Sequence, residues 1–167
     1  LDNIIDMGAY EYNSKLSLCT QNPNTSLTAP VTGSNYQWQI NNGAGFVHAT
    51  NTTNIQGVNA QVLQLINVPS DWGGTAFRCI VDGTATYEMP IGFDNIWTGA
   101  AGTAWENPLN WSCGGLPDVN TNVFINRGTL TTQPMPVINT NQSIGTLQLG
   151  TGSSLEVVTG NTLLINH

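Results

Sequence analysis

Apolar and polar residues alternate over short stretches of this chain, and no segment sustains the 3.6-residue period of an amphipathic helix. Between residues 15 and 93, alternating stretches such as Tyr36-Gln37-Trp38-Gln39-Ile40 are separated by turn signals such as Asn42-Gly43-Ala44-Gly45. Runs of this kind, with glycine-rich turns at short intervals, are typical of antiparallel strands packed as a sandwich. The pattern therefore predicts an all-β first domain.

The pattern changes after residue 94. Trp97, Trp105 and Trp111 fall close together, and a repeat of apolar pairs follows: Leu147-x-Leu149, Leu155-x-Val157 and Leu163-x-Ile165. The leading residues of successive pairs are eight apart and are separated by glycine-containing turns. Inward apolar pairs at a fixed spacing indicate successive sides of a β-solenoid rung. An antiparallel meander has the same spacing and remains the alternative.

Composition points to an exported protein. Only 8% of the residues are charged, against about 25% in an average soluble domain. The net charge is −7, and Lys15, Arg78 and Arg127 are the three cations. Nucleic-acid binding depends on clustered Lys and Arg, so we expect no nucleic-acid partner. No apolar run approaches the roughly 20 residues of a membrane span, so we expect no membrane insertion.

No reaction centre is visible in the sequence. The acidic residues are scattered and form no D-x-D-x-D-G loop, and His48 and His167 are isolated. No serine lies in a nucleophile-elbow pattern. We therefore predict no catalytic residues, no metal site and no cofactor in this chain, although a catalytic domain could lie elsewhere in a parent protein.

Four motifs in order carry a resemblance to a known family: Cys19, Tyr36-Gln37-Trp38-Gln39, Leu63-x-Leu65-x-x-Val68 and Gly74-x-x-Phe77-Arg78-Cys79. They resemble bacterial immunoglobulin-like domains of large Bacteroidetes surface proteins. The resemblance implies an antiparallel β-sandwich whose two sheets are joined by a Cys19–Cys79 disulfide, with Trp38 and Phe77 in the core against it. It also implies an oxidising compartment.

Cys113 is left over in this scheme. A free thiol is the leading interpretation, and pairing with another chain or another segment stays open.

Both ends of the chain resemble modules of the same class of surface proteins. Ile4–Tyr12 is similar to the D-x-G-A-Y-E-Y ending of right-handed β-helix domains. Trp97-Thr98-Gly99 and Asn110-Trp111-Ser112 resemble a tryptophan-rich module that precedes solenoid segments in proteins exported through the type IX system. We accordingly expect the end of a β-helix module at residues 1–14, an immunoglobulin-like sandwich at 15–93 and a tryptophan-rich cap with the start of a solenoid at 94–167.

The functional expectation is a non-catalytic structural or adhesive segment at the bacterial cell surface, acting as spacer and interaction module. Its expected partners are neighbouring proteins of the same surface assembly or copies of itself, with rod or filament formation as a variant. The alternative is an accessory region of a secreted polysaccharide-degrading β-helix enzyme, which binds carbohydrate. For glycan contact the candidate side chains are Trp72, Trp97, Trp105 and Trp111, although for the last three we favour a role in plugging the end of the solenoid and shielding its first rung.

Overall fold

The structure is a computed structural model that describes residues 15–128 and 132–166. The predicted strand and module at residues 1–14, together with His167, lie outside the described residues. Within them the chain is all-β, as predicted: it forms fifteen strands and two short 3-10 turns, at Ser70–Trp72 and Pro108–Asn110.

The chain forms two compact units. Among the described residues, the first comprises the chain up to Leu18 and Pro23–Gly92, and the second comprises Cys19–Asn22 and the chain from Phe93 onward. The boundary between Gly92 and Phe93 falls inside a single strand, and the four residues Cys19–Asn22 belong to the second unit although they lie early in the sequence.

The first unit contains nine strands, the last of which continues past Gly92. They are β1 (Leu16–Leu18), β2 (Thr25–Thr28), β3 (Tyr36–Asn41), β4 (Val47–His48), β5 (Ile55–Gln56), β6 (Val62–Leu65), β7 (Ala76–Val81), β8 (Thr84–Ala85) and β9 (Met89–Ile96). One sheet is antiparallel and has the order β5-β6-β2. In the other, β4, β3, β7 and β9 are antiparallel neighbours in that order, with β8 on β7 and β1 on β9. These orders correspond to the D-E-B and C′-C-F-G sheets of an immunoglobulin sandwich.

The core of this sandwich comes from the inward residues of the alternating strands. Trp38 lies opposite Cys79, and Ile40 lies opposite Phe77, in the antiparallel register of β3 and β7. Trp38 and Phe77 are fully buried. The apolar residues of β6, Leu63 and Leu65, are also fully buried, because the two-residue period of a strand places them on the same face.

The second unit is built from six further strands: β10 (Asn122–Ile125), β11 (Val137–Ile138), β12 (Gln142–Ile144), β13 (Thr146–Leu149), β14 (Glu156–Val157) and β15 (Leu163–Ile165). β10 pairs with β13, β11 with β14 and β12 with β15, and every pair is parallel. The residues of β9 after Gly92 pair in parallel with β10 on its other side. Parallel pairing of sequential triplets describes two stacked solenoid rungs, so the meander alternative is wrong.

The two rungs differ in burial. In the first rung the inward residues Val123, Ile125, Ile138 and Ile144 are fully buried. In the second rung the leading residue of each repeat pair packs against this cluster. The second residues, Leu149, Val157 and Ile165, are 47%, 39% and 37% exposed. The prediction that both members of each pair are buried inside the rung is therefore wrong for the second member, since no described strand pairs with the second rung on its other side.

Candidate functional site

The disulfide lies between Cys19 and Cys113, whose Cα atoms are 5.4 Å apart, and not between Cys19 and Cys79 as the family resemblance implied. Cys79 is a free, buried thiol. The leading interpretation of Cys113 as a free thiol is therefore wrong, and the alternative that it pairs with another segment is confirmed. Both half-cystines belong to the second unit, because Cys19–Asn22 is grouped with it.

The predicted Cys19–Cys79 pairing is wrong because Cys19 lies one strand earlier in the fold than the family pattern assumes. In immunoglobulin domains the bond joins strand B to strand F. Cys19 follows β1, one strand before the B-equivalent β2, and forms an isolated bridge with Asn22 in which the Asn22 N–H donates to the Cys19 carbonyl over 3.1 Å. The buried residue of β2 is Leu27. The F-strand cysteine thus has an aliphatic residue, and no thiol, in the sheet that faces it.

Asn95 holds the backbone around Cys113. Its side chain is almost completely buried, and its Nδ2 donates to the Gly115 carbonyl over 2.8 Å. Its Oδ1 accepts from the Cys113 N–H over 3.1 Å and from the Ser112 hydroxyl over 3.3 Å. Beside it, Gln21 Nε2 donates to the Leu116 carbonyl over 3.3 Å. These bonds orient the loop that carries one half of the disulfide toward the segment that carries the other.

The thiol of Cys79 is unreactive in this buried position. Burial raises the pKa of its thiol above the ordinary value, while a hydrogen bond with the backbone of Gln37 acts in the opposite direction. The thiolate is the reactive form of cysteine, so a buried thiol with a raised pKa is a poor nucleophile. Cys79 therefore contributes packing volume to the sandwich core.

Three of the four tryptophans proposed for glycan contact are buried. Trp97, Trp105 and Trp111 are 1%, 0% and 3% exposed, so their predicted contact with glycans is wrong. Trp111 meets Trp97 and Trp105 edge to face, with ring centroids 5.1 Å and 4.6 Å apart. The three indoles pack in one cluster with the inward residues of the first rung. Their packing against the first rung agrees with the favoured prediction, in which they plug the solenoid.

The fourth tryptophan lies at a cavity of the first unit. Trp72 is half-buried at the end of the 3-10 turn Ser70–Trp72, and it lines a cavity of about 420 Å³. Eight residues form its walls: Ile40, Asn42, Gly43, Asp71, Trp72, Gly73, Gly74 and Thr75. Sequence reasoning singled out Trp72 but did not find Asn42 or Thr75, because nothing in a single sequence relates these two positions to it.

No group of three or more His, Cys, Asp or Glu side chains is placed to hold a metal ion within residues 15–128 and 132–166. Over the same residues, no helix has both the length and the apolar character needed to cross a bilayer.

The comparisons with known proteins bear on the second unit alone. Residues 96–167 match the family model of a domain of unknown function (DUF8693). This match spans less than half of the 167 residues. No curated protein matches the chain, and no solved structure matches it.

Proposed function

We propose that this chain is a load-bearing, non-catalytic spacer in a large extracellular bacterial surface protein, where it supports adhesion or presents an adhesive module. The observation that carries the proposal is the Cys19–Cys113 disulfide, which closes a sequence separation of 94 residues. That loop contains Pro23–Gly92, and with it nearly all of the described part of the first unit.

The covalent path through the chain is therefore short. Tension applied between a residue before Cys19 and a residue after Cys113 passes through the disulfide and bypasses the loop between them. A fully extended residue spans about 3.4 Å, so the 94-residue separation corresponds to about 320 Å of chain that stays unextended while the bond is intact. The strands β2 to β8 are removed from the load, and the sandwich can keep its loops and edges folded under tension.

The disulfide also supports the proposed location and stability. Disulfides persist in oxidising compartments, so this one indicates a non-cytoplasmic protein. In the chain-entropy treatment, closing a loop of this length stabilises the folded state by about 4–5 kcal/mol. A stabilisation of that size is a large fraction of the roughly 5–15 kcal/mol by which domains are folded.

Single-molecule stretching tests the load path. The chain is held by handles at its two ends and extended with the disulfide intact, and then again after reduction. We expect the reduced chain to release about 320 Å more contour length than the oxidised chain. Cys79→Ala, which keeps the disulfide, is the matched control and should behave like the unmodified chain. Equal contour lengths before and after reduction would contradict the load path.

Adhesion under flow tests the function itself. Bacteria that display the parent protein with Cys19→Ser and Cys113→Ser should bind their surface normally at rest and detach at lower shear. The Cys79→Ala strain should match the unmodified strain in both measurements. Unchanged detachment of the double variant, at equal surface display, would overturn the load-bearing role.

A further inference from the structure

The cavity beside Trp72 is lined by polar groups that the protein itself does not use. Within the described part of the chain, no hydrogen bond joins the side chains of Asn42, Asp71, Trp72 or Thr75 to any other group. Polar side chains elsewhere in the sandwich behave differently. Asn41, Asn54 and Asp82 each bond to two or more backbone groups.

The backbone around these groups is fixed. The Trp72 N–H donates to the Pro69 carbonyl over 3.0 Å, and the Thr75 N–H donates to the Trp72 carbonyl over 2.9 Å. The Gly74 N–H donates to the carbonyl of Ile91 over 2.9 Å, which ties the loop to β9. A cavity held in this way needs little ordering when a ligand enters, and that lowers the cost of binding.

We propose that this cavity binds a neutral saccharide. The partly exposed indole of Trp72 offers an apolar face on which the C–H face of a sugar ring can stack. Asp71 supplies carboxylate acceptors, and Asn42 and Thr75 supply groups that donate and accept, for the ring hydroxyls. The volume of about 420 Å³ falls within the roughly 300–1,000 Å³ of small-molecule sites, which combine apolar walls with a few placed polar groups.

Charge selects among saccharides. Asp71 lines the cavity, and the whole chain carries a net charge of −7. Bringing a uronate carboxylate beside Asp71 would place two like charges in one site, which is unfavourable. Neutral oligosaccharides should therefore bind in preference to uronate polymers of the same length. This inference is independent of the load-bearing proposal and survives if that proposal fails.

Calorimetric titration of the whole chain tests the site. The panel consists of neutral oligosaccharides of glucose, galactose, mannose and xylose, with an oligogalacturonate as the acidic member. We expect at least one neutral member to bind at about 1 mM or below, and to shield Trp72 from a soluble quencher. The quenching of fluorescence reports on Trp72 selectively, because the other four tryptophans are buried: Trp38, Trp97, Trp105 and Trp111. Absence of binding by every neutral member, or tighter binding of the oligogalacturonate, would overturn the proposal.

Variants locate the binding. Trp72→Ala removes the stacking face and should weaken binding by about tenfold or more, as expected for an aromatic anchor. Trp72→Phe keeps an aromatic ring and should lose less affinity than Trp72→Ala. Asp71→Asn keeps the shape of the side chain and should weaken binding of the neutral sugar through loss of a charged acceptor. Val31→Thr, at an exposed position that does not line the cavity, is the control and should bind normally. Full affinity in Trp72→Ala would place the binding elsewhere and refute the assignment.

Discussion

Cys79 lies directly opposite Trp38 on neighbouring antiparallel strands, and its thiol takes part in no disulfide. The indole is fixed at its other end, where Trp38 Nε1 donates to the Ala60 carbonyl over 2.9 Å. Packing and this hydrogen bond therefore hold the centre of the sandwich. The covalent bond that the family pattern places there lies instead in the second unit.

Counting thiols in unfolded, unreduced protein distinguishes the two pairings. With Cys19 bonded to Cys113, the unmodified chain exposes one thiol, which belongs to Cys79. Cys79→Ala should then expose none, and Cys113→Ala should expose two. A Cys19–Cys79 bond would reverse the two variants. Alkylation under denaturing conditions followed by mass measurement reads the count directly.

The limits of prediction from the sequence are clearest for the pairing of these cysteines. The family resemblance implied that Trp38 and Phe77 lie in the core, and both are fully buried. The sequence alone could not identify the partner of Cys19, since three cysteines allow three pairings and connectivity is not encoded in spacing. The family motif assumed that the first cysteine lies on the second strand. In the fold that strand carries Leu27 at its buried position, and the cysteine comes one strand earlier.

The acidic turn residue Asp82 should make stability depend on pH. Its carboxylate accepts from the backbone N–H groups of Ser34 and Asn35, and these bonds lower the pKa of Asp82 below its ordinary value. A lowered pKa in the folded state contributes stability above the unfolded pKa, which is lost as pH falls through the folded pKa. Asp82→Asn should therefore unfold at lower denaturant than the unmodified chain at about pH 7, and the gap should close toward about pH 2.

Asn is the suitable replacement because Asp82 has a φ of 47°, which Asn tolerates better than most residues. Asp71→Asn is the control, because no hydrogen bond to its carboxylate lies within the described residues. Its denaturation midpoint should track that of the unmodified chain at both pH values. A gap for Asp82→Asn that stayed constant with pH would show that the loss comes from geometry and not from charge.

The indole N–H groups of Trp105 and Trp111 differ in hydrogen bonding, and two conservative variants can measure how much this difference contributes to stability. Trp111 Nε1 donates to the Trp105 carbonyl over 2.9 Å, whereas Trp105 Nε1 is buried without a hydrogen-bond partner in the described structure. Trp111→Phe leaves a buried carbonyl unpaired, which costs about 1–3 kcal/mol beyond the lost volume. Trp105→Phe loses similar volume and no hydrogen bond. Trp111→Phe should therefore be the less stable variant in urea denaturation followed by circular dichroism.

Equal costs for the two variants would mean that the N–H of Trp105 contributes as much as that of Trp111. For these three tryptophans in fifteen residues, the sequence favoured a plug of the solenoid and kept glycan contact as the weaker possibility. Burial decides between them. The three indoles pack with the inward residues of the first rung and fill the interior of the solenoid there.

Asn95, which no sequence pattern singled out, holds the loop that carries Cys113. Its side chain bonds to the backbone at Cys113 and two residues later, at the Cys113 N–H and the Gly115 carbonyl. Asn95→Ala leaves the buried Gly115 carbonyl and the partly buried Cys113 N–H unpaired, and it should lower the free energy of unfolding by about 1–3 kcal/mol for the carbonyl and by less for the N–H. If Asn95 acts by holding the disulfide loop, the loss should be smaller in a Cys19→Ser, Cys113→Ser background, where that loop is free to relax. A double-mutant cycle measures this coupling, and additive losses would show that Asn95 stabilises the second unit independently of the disulfide.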